Sequence, residues 1–396
     1  MFIFLCYLLF FLLSLGQISR LSLPNLPINF YPYELVVYFF TALLLIKYRL
    51  TPYRKLLSFE KAGIAFFVWM FFSFIISVPY YNLSANTIAF LYLIRLLLYF
   101  IFFVYFKYYL GLHVGLNSKI NYGIVIFNIF TIIFSLLQYF YYSDIGNVAY
   151  LGWDPHRNRL VGLFFDPPMM YSVFILLSIY FVYICIHEKS KKTRTFYIFI
   201  AIVNTILSIF TYSRGGYLAV LITLLFLFRK KFNLRIIGLF IIIALLFVFL
   251  YPRNRLESTN LYRTTSIISR INDYKIASEI WRKSPIVGIG YNHIRFEKDR
   301  FEKEPITESF NPSHASSSFH SSHMMILVTT GLLGFILWIN WGSKILKVNK
   351  FSQFAIPFLS IISFSDNVIL HPMIFVLFLV LLSLSIALES NLLFGK

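Results

Sequence analysis

Apolar runs of about 20 residues, each long enough to cross a bilayer as a helix, recur along this chain, and no other feature limits its fold so strongly. The run from Phe196 to Phe228 contains one charged residue, Arg214. Of the 396 residues 59% are hydrophobic and 13% charged, where a soluble domain carries roughly 25% charged. A soluble fold is therefore excluded. In lipid every backbone amide must bond within its own segment, so these runs are expected to be helices. The expectation is an all-α polytopic membrane protein.

Twelve candidate spans lie near 1–18, 30–46, 62–80, 86–108, 119–141, 167–187, 195–212, 215–229, 233–251, 320–341, 352–367 and 371–390. The eighth and eleventh are short. The N-terminal "MFIFLCYLLFFLLSLGQ" has no basic n-region and no small-residue cleavage site, so it reads as the first span and not as a cleaved signal. Cys6 and Cys185 sit inside apolar runs, which argues against a disulfide framework or a cysteine-based metal site. Three regions follow: spans one to nine (1–251), a large loop (252–318), and spans ten to twelve (319–396).

Orientation follows from Lys and Arg in the connections. With the N-terminus cytoplasmic, the cytoplasmic connections and tail hold nineteen basic residues. The short outer connections hold Arg20, Arg157, Arg159 and Arg214. Much of the formal +19 charge is thus an orientation signal. No RNA- or DNA-binding motif accompanies it, and no nucleic acid partner is expected. Both termini are expected in the cytoplasm.

The loop 252–318 falls outside and carries eleven basic and eight acidic residues. Loops this long escape the positive-inside rule. Its segment "SIISRINDYKIASEIWRK" places Ile267, Ile271, Tyr274, Ala277 and Trp281 on one helical face, with Ser266 or Ser269 as N-cap. "SPIVGIGYN" ends that helix. The polar stretch 302–319 reads as mobile.

The outer face gathers Arg157 and Arg159 from "WDPHRNRLVGLFFDPP", Arg214 from "SRGG", Arg270 from the long loop, and His320 and His323 at the start of span ten. Arg214 has three readings: it snorkels to the interface, pairs with an acid, or binds an anion. Gly215-Gly216 reads as a tight turn at the membrane surface. Arg157 and Arg159 suit phosphate oxygens, of a lipid headgroup or of a substrate. Asp166 reads as a turn residue. His320 and His323, three apart on a helix, lack a nearby Cys or carboxylate to complete a metal site, so neither metal nor cofactor is expected.

Four stretches resemble the O-antigen ligase and O-antigen polymerase family of bacterial envelope proteins. They are His320-Ser321 followed after nine residues by Gly331-Leu-Leu-Gly334; "YSRGG", containing Ser213; "SRINDYKIASEIWRKSPIVGIG"; and "RLVGLFFDPPMM", where Pro167-Pro168 stands for the family's Pro-Asn. The resemblance implies a GT-C-like, metal-independent, inverting glycosyltransferase of the bacterial inner membrane, with its active site facing the periplasm. Its donor would be a glycan on undecaprenyl diphosphate. A ligase passes the glycan to lipid A–core, a polymerase to another lipid-linked repeat unit, and the full histidine–glycine motif favours the ligase. By the same resemblance His320 would be the general base and Arg214 and Arg270 would hold the diphosphate. Arg159, Arg157, His323 and Ser213 would line the substrate site. Gly331 and Gly334 would admit a neighbouring helix. A transporter of lipid-linked glycans is the remote alternative; internal repeats with interrupted helices, which would favour it, are not visible. The one charge expected at mid-membrane, Arg95, has no assigned partner.

Overall fold

The computed structural model describes residues 1–22, 28–113, 115–147, 156–228, 259–260, 264–298 and 318–394. Its elements are α1 (Phe2–Ser14), α2 (Pro32–Tyr48), α3 (Ser58–Ser77), α4 (Leu83–Leu112), α5 (Leu116–Tyr141), α6 (Pro167–His187), α7 (Lys191–Ile209), α8 (Arg214–Phe228), α9 (Thr265–Lys283), α10 (Ile294–Lys298), α11 (Ser322–Leu346), α12 (Lys350–Ser365) and α13 (Pro372–Phe394). One two-residue antiparallel ladder, β1 (Leu21–Ser22) with β2 (Asn29–Phe30), joins α1 to α2.

Eleven of the twelve expected intervals coincide with helices. Among the described residues seven helices are long and apolar enough to cross a membrane, and α1 and α8 are apolar but shorter. The chain is a multi-pass membrane protein. The ninth expected span, 233–251, and most of the stretch 302–319 lie outside the described residues.

The helices begin where local chemistry favours it. Pro32, Pro167 and Pro372 open α2, α6 and α13, where a missing N–H costs nothing. Asn82, Ser190, Ser321 and Asn349 accept backbone N–H bonds at the starts of α4, α7, α11 and α12. The family's Pro-Asn position, Pro167-Pro168 here, is simply the first turn of α6. α6 and α13 are the most enclosed spans, each with 78% of its apolar window buried. α6 packs on α7, α12 and α13, and α4 on α2 and α13.

Contacts between connections show that they gather at one end of the bundle. Leu160 N donates to Phe210 O at 2.9 Å, joining the α5–α6 and α7–α8 connections. Gln17 meets His371 at 3.3 Å, joining α1–α2 to α12–α13. Ser77, at the end of α3, meets His293 of the α9–α10 segment at 3.3 Å. Arg95 has a partner within the bundle: its Nε lies 3.2 Å from Glu34 Oε1 on α2, with both side chains buried. Tyr99 also donates to Glu34, and Tyr31 N donates to its other oxygen at 3.2 Å.

Span ten departs from the expected continuous helix. Gly331 breaks α11 with φ 65° and ψ −173°. The segment 285–290 lays its backbone into the break: Leu332 N donates to Pro285 O at 2.8 Å, Ile289 N to Val328 O at 3.1 Å and Gly290 N to Thr329 O at 3.0 Å. α3 supplies two more donors, Trp69 Nε1 to Thr330 O at 2.8 Å and Ser73 Oγ to Thr329 O at 2.9 Å. Carbonyls freed by a break inside a membrane protein must find partners, and here they do. The expectation that both glycines face a helix therefore holds only for Gly334, which lies against Trp69 of α3. Gly331 faces the loop backbone.

Candidate active site

The site is built from the α5–α6 connection upward. Gln138 of α5 accepts from Val161 N (2.9 Å) and Gly162 N (3.1 Å) and donates to Arg159 O (3.2 Å), which fixes that segment. Arg159 is buried. Its Nε donates to Thr211 O at 2.8 Å and its Nη2 to Tyr212 O at 3.1 Å. Arg159 thus clamps the α7–α8 turn from behind, a role the sequence did not suggest. Ser213 is buried too, and its Oγ accepts from Gly216 N at 3.4 Å, capping α8.

This turn leaves Arg214 as the first residue of α8. The left-handed residue in the turn is Tyr212 (φ 53°), not a glycine. Gly215 and Gly216 lie inside α8, and their role is close approach. A Cβ on Gly215 would lie 2.3 Å from Ser365 Oγ and 3.2 Å from Asp366 Oδ2; one on Gly216 would lie 2.4 Å from the Tyr171 ring. The end of α12 is thereby drawn against the start of α8.

α9 forms the opposite wall. Arg214 Nη2 donates to Ser266 Oγ at 2.5 Å. Arg270 Nη2 pairs with Asp366 Oδ1 at 2.8 Å, and Ser365 Oγ donates to the other oxygen of Asp366 at 2.7 Å. Asp273 Oδ2 takes the His320 backbone N–H at 2.9 Å and also pairs with His320 Nδ1. Asp273 Oδ1 takes Lys298 Nζ at 2.9 Å, and that ammonium also donates to Ser318 O at 3.1 Å. Residues 266, 270 and 273 recur at helical spacing on one face, so α9 brings Arg214, Arg270 and His320 together.

That face differs from the expected one. Ile267 and Ile271 are 45% and 50% exposed, while Asp273, Ala277 and Ile280 are buried. The N-cap position belongs to Thr264, without a side-chain bond, and Ser266 is spent on Arg214. Only Ala277 of the expected stripe is fully buried, because the first half of α9 faces the protein with Ser266, Arg270 and Asp273 and only the second half does so with apolar residues.

The electrostatics follow from this packing. The hydrogen bond that His320 donates to Asp273 raises the His320 pKa above the ordinary imidazole value; burial opposes it, the charges of Asp273 and Asp366 add to it, and Arg270 reduces it. Burial works against the Asp273 carboxylate, but hydrogen bonds from His320 and attraction to Lys298 outweigh it, so its pKa falls below the usual value.

Two expected site residues lie elsewhere. His323 turns toward α12, where Nε2 bonds Ser360 O at 2.8 Å and the ring lies on Phe364. Three residues along a helix from His320 is close to a full turn, but the N-terminal Ser321 cap leaves His320 outside the helix and aims it at α9 instead. Arg157 pairs with Asp144 at 2.8 Å on an exposed bridge between the ends of the α5–α6 connection. Asp166 is the N-cap residue of α6. Among the described residues no group of three or more His, Cys, Asp or Glu stands where it could hold a metal ion.

Sequence reasoning missed Ser266, Asp273, Lys298 and Asp366. The signals were present. Asp273 follows Arg270 by three residues on one helix, and Asp366 is the only acid between Lys350 and Glu389.

Residues 196–339, from α7 through most of α11, match the family model described as O-Antigen ligase. Over these residues, about a third of the chain, it is similar to the O-antigen ligase and polymerase family. The matched region contains Arg214, Arg270, Asp273, Lys298 and His320; Arg159 and Asp366 reach the same cluster from outside it. Members of the family are membrane enzymes of glycosyltransferase type. No curated protein matches the chain.

Proposed function

We propose that this chain is an O-antigen ligase that moves a glycan from undecaprenyl diphosphate to a hydroxyl of lipid A–core, with inversion and without a metal. It does so at the periplasmic face of the bacterial inner membrane, in a GT-C-like bundle of twelve spans whose termini are cytoplasmic. The loop 252–318, which contains α9 and α10, is the region that organises the site. The observation that carries the reading is the convergence of Arg214, Arg270 and His320 on one face of α9.

The chemistry matches the parts. As the acceptor oxygen attacks the anomeric carbon, the bond to the diphosphate oxygen breaks and its electron pair leaves with the diphosphate. Guanidinium groups hold that charge, and removing one such donor costs about 100–1000-fold in rate. Arg270 retains a buried Nε with no hydrogen-bond partner among the described residues, a donor available to an anionic oxygen. His320 Nδ1 faces Asp273, so in the neutral ring Nδ1 carries the proton and Nε2 is free to accept one from the acceptor hydroxyl. Arg159 serves this site indirectly, by holding the turn that presents Arg214; Ser213 caps the same turn.

The test is glycan transfer in a strain lacking its own ligase. His320→Ala, Arg214→Ala and Arg270→Ala are each expected to lose at least about 100-fold of activity. Full activity in EDTA is expected as well. Near-normal transfer by His320→Ala would remove it as the base. The same donor chemistry serves a polymerase, and complementation that restores long chains from single repeat units, with no glycan on lipid A–core, would assign that activity instead.

A further inference from the structure

Among the described residues Lys298 is the most enclosed cation near the site, 1% exposed, and the proposed reaction gives it nothing to do. Burying an ammonium is costly unless it is paired and hydrogen-bonded. Among its partners are Asp273 Oδ1, the Ser318 carbonyl and the face of the Phe319 ring, 5.2 Å away. These three surround His320. The anchoring of α10 does not call for Lys298, because Ile294 is fully buried and Glu297 already bonds Tyr81 (3.1 Å) and Lys283 (2.6 Å). His293 adds its own bonds to the α3–α4 turn, with Ser77 at 3.3 Å and Asn86 at 3.1 Å.

We propose that Asp273 and Lys298 act as a pair of positioning residues for His320. Asp273 holds the imidazole by Nδ1 and by the backbone N–H, so that Nε2 faces the acceptor. Lys298 fixes the other oxygen of that carboxylate and the chain two residues before the histidine. This rests on the reading of His320 as the base and deepens it.

One carboxylate divided between two cations has a consequence. In the reaction the acceptor O–H proton moves to Nε2, the electron pair of that bond stays on the attacking oxygen, and Nδ1–H remains on Asp273, which stays ionised. The imidazolium so formed faces Asp273 and Asp366 as anions and Arg270 and Lys298 as cations. Asp273 stabilises it; Lys298 draws on the same carboxylate and limits that stabilisation. Removing one partner or the other therefore moves His320 in opposite directions, which a merely structural pair would not do.

The experiment compares Asp273→Asn and Lys298→Gln in the full-length protein in proteoliposomes. Two readouts are taken against pH: glycan transfer, and acylation of His320 by diethyl pyrocarbonate followed by peptide mass spectrometry. The reagent attacks the neutral ring, so its rate rises as the imidazolium loses its proton. Asp273→Asn is expected to move the acylation midpoint to lower pH and to cut kcat about 100-fold or more with little change in KM. Lys298→Gln is expected to move the midpoint to higher pH. Midpoints that stay put in both variants, or move the same way in both, overturn the proposal. If Asp273→Asn fails to fold, Asp273→Glu and Lys298→Gln carry the test: the first keeps a wild-type-like midpoint and the second must still move upward. Opposite shifts in acylation with an unchanged transfer profile would keep the pair and discard His320 as the base. Unmoved acylation with an inactive His320→Ala would keep the base and discard the pair.

Discussion

Replacing Gly331 by alanine strains a seam that is walled by backbone. At φ 65°, ψ −173° the backbone occupies a region open essentially to glycine alone, at about 1–3 kcal/mol for any other residue. The added Cβ would lie 2.1 Å from Ile286 O and 2.3 Å from its carbonyl carbon. These are backbone atoms, so no rotamer change can relieve the contact. Moving the 285–290 segment away would stretch its bonds to Leu332 and Leu333 (2.8 and 3.4 Å), at about 1 kcal/mol for each one lost. Strain plus overpacking or lost bonds comes to about 2–6 kcal/mol. Gly288→Ala approaches the same seam from the other side, with φ 84° and Thr329 backbone atoms at 2.4 Å, and should cost a similar amount.

Gly342→Ala is the control, since it lies on the same helix with nothing within 4 Å of its Cβ. Alanine there should be neutral or stabilising by up to about 1 kcal/mol. The measurement is the midpoint of thermal unfolding in detergent, with glycan transfer measured in parallel. Gly331→Ala and Gly288→Ala should unfold well below wild type and transfer poorly, because the 285–290 segment links α9 to α10 and both to α11. If Gly331→Ala unfolded with Gly342→Ala, the seam between loop and broken helix would not be the device described.

Two further outcomes are expected. Arg95→Met should destabilise the bundle by about 3–5 kcal/mol by leaving Glu34 buried without its cation, and Glu34→Gln in the same chain should recover most of that loss in a double-mutant unfolding cycle. Arg159→Lys should lose one charge-assisted bond to the α7–α8 turn, about 1.5–3 kcal/mol, because an ammonium cannot bridge the Thr211 and Tyr212 carbonyls as the guanidinium does; unfolding and transfer should fall together, and wild-type values for both would show that the clamp is dispensable.

The helices were largely legible because membrane spans obey one strong rule, and the intervals read from hydropathy fall on α1 to α8 and α11 to α13. The break at Gly331 was not legible. "GLLG" in an apolar run looks like helix, and only the fold shows that its first glycine and the Pro285–Gly290 motif are halves of one contact. The Gly215-Gly216 pair was read as the turn, yet Tyr212 takes the left-handed conformation while the glycines admit Ser365 and Tyr171. The outer arginines and His320 were legible as a phosphate site with a proton-transfer residue; Asp273 and Asp366 were not, because their partners His320 and Arg270 lie far away in the chain and only the fold brings them together.

The misread face of α9 has the most physical content. In a soluble protein an apolar stripe on a helix marks the side that meets the protein. α9 instead turns Ser266, Arg270 and Asp273 inward and leaves Ile267, Ile268 and Ile271 half exposed. That arrangement is stable where the outer medium is less polar than the site, as at the surface of a bilayer whose headgroup region receives apolar side chains. The inverted stripe is thus itself an argument for where α9 sits. Because Arg214 and His320 bond Ser266 and Asp273 of this one helix and Arg270 belongs to it, a shift of α9 along its axis would displace all three, and in the proposed reaction charge stabilisation and proton acceptance would be lost together.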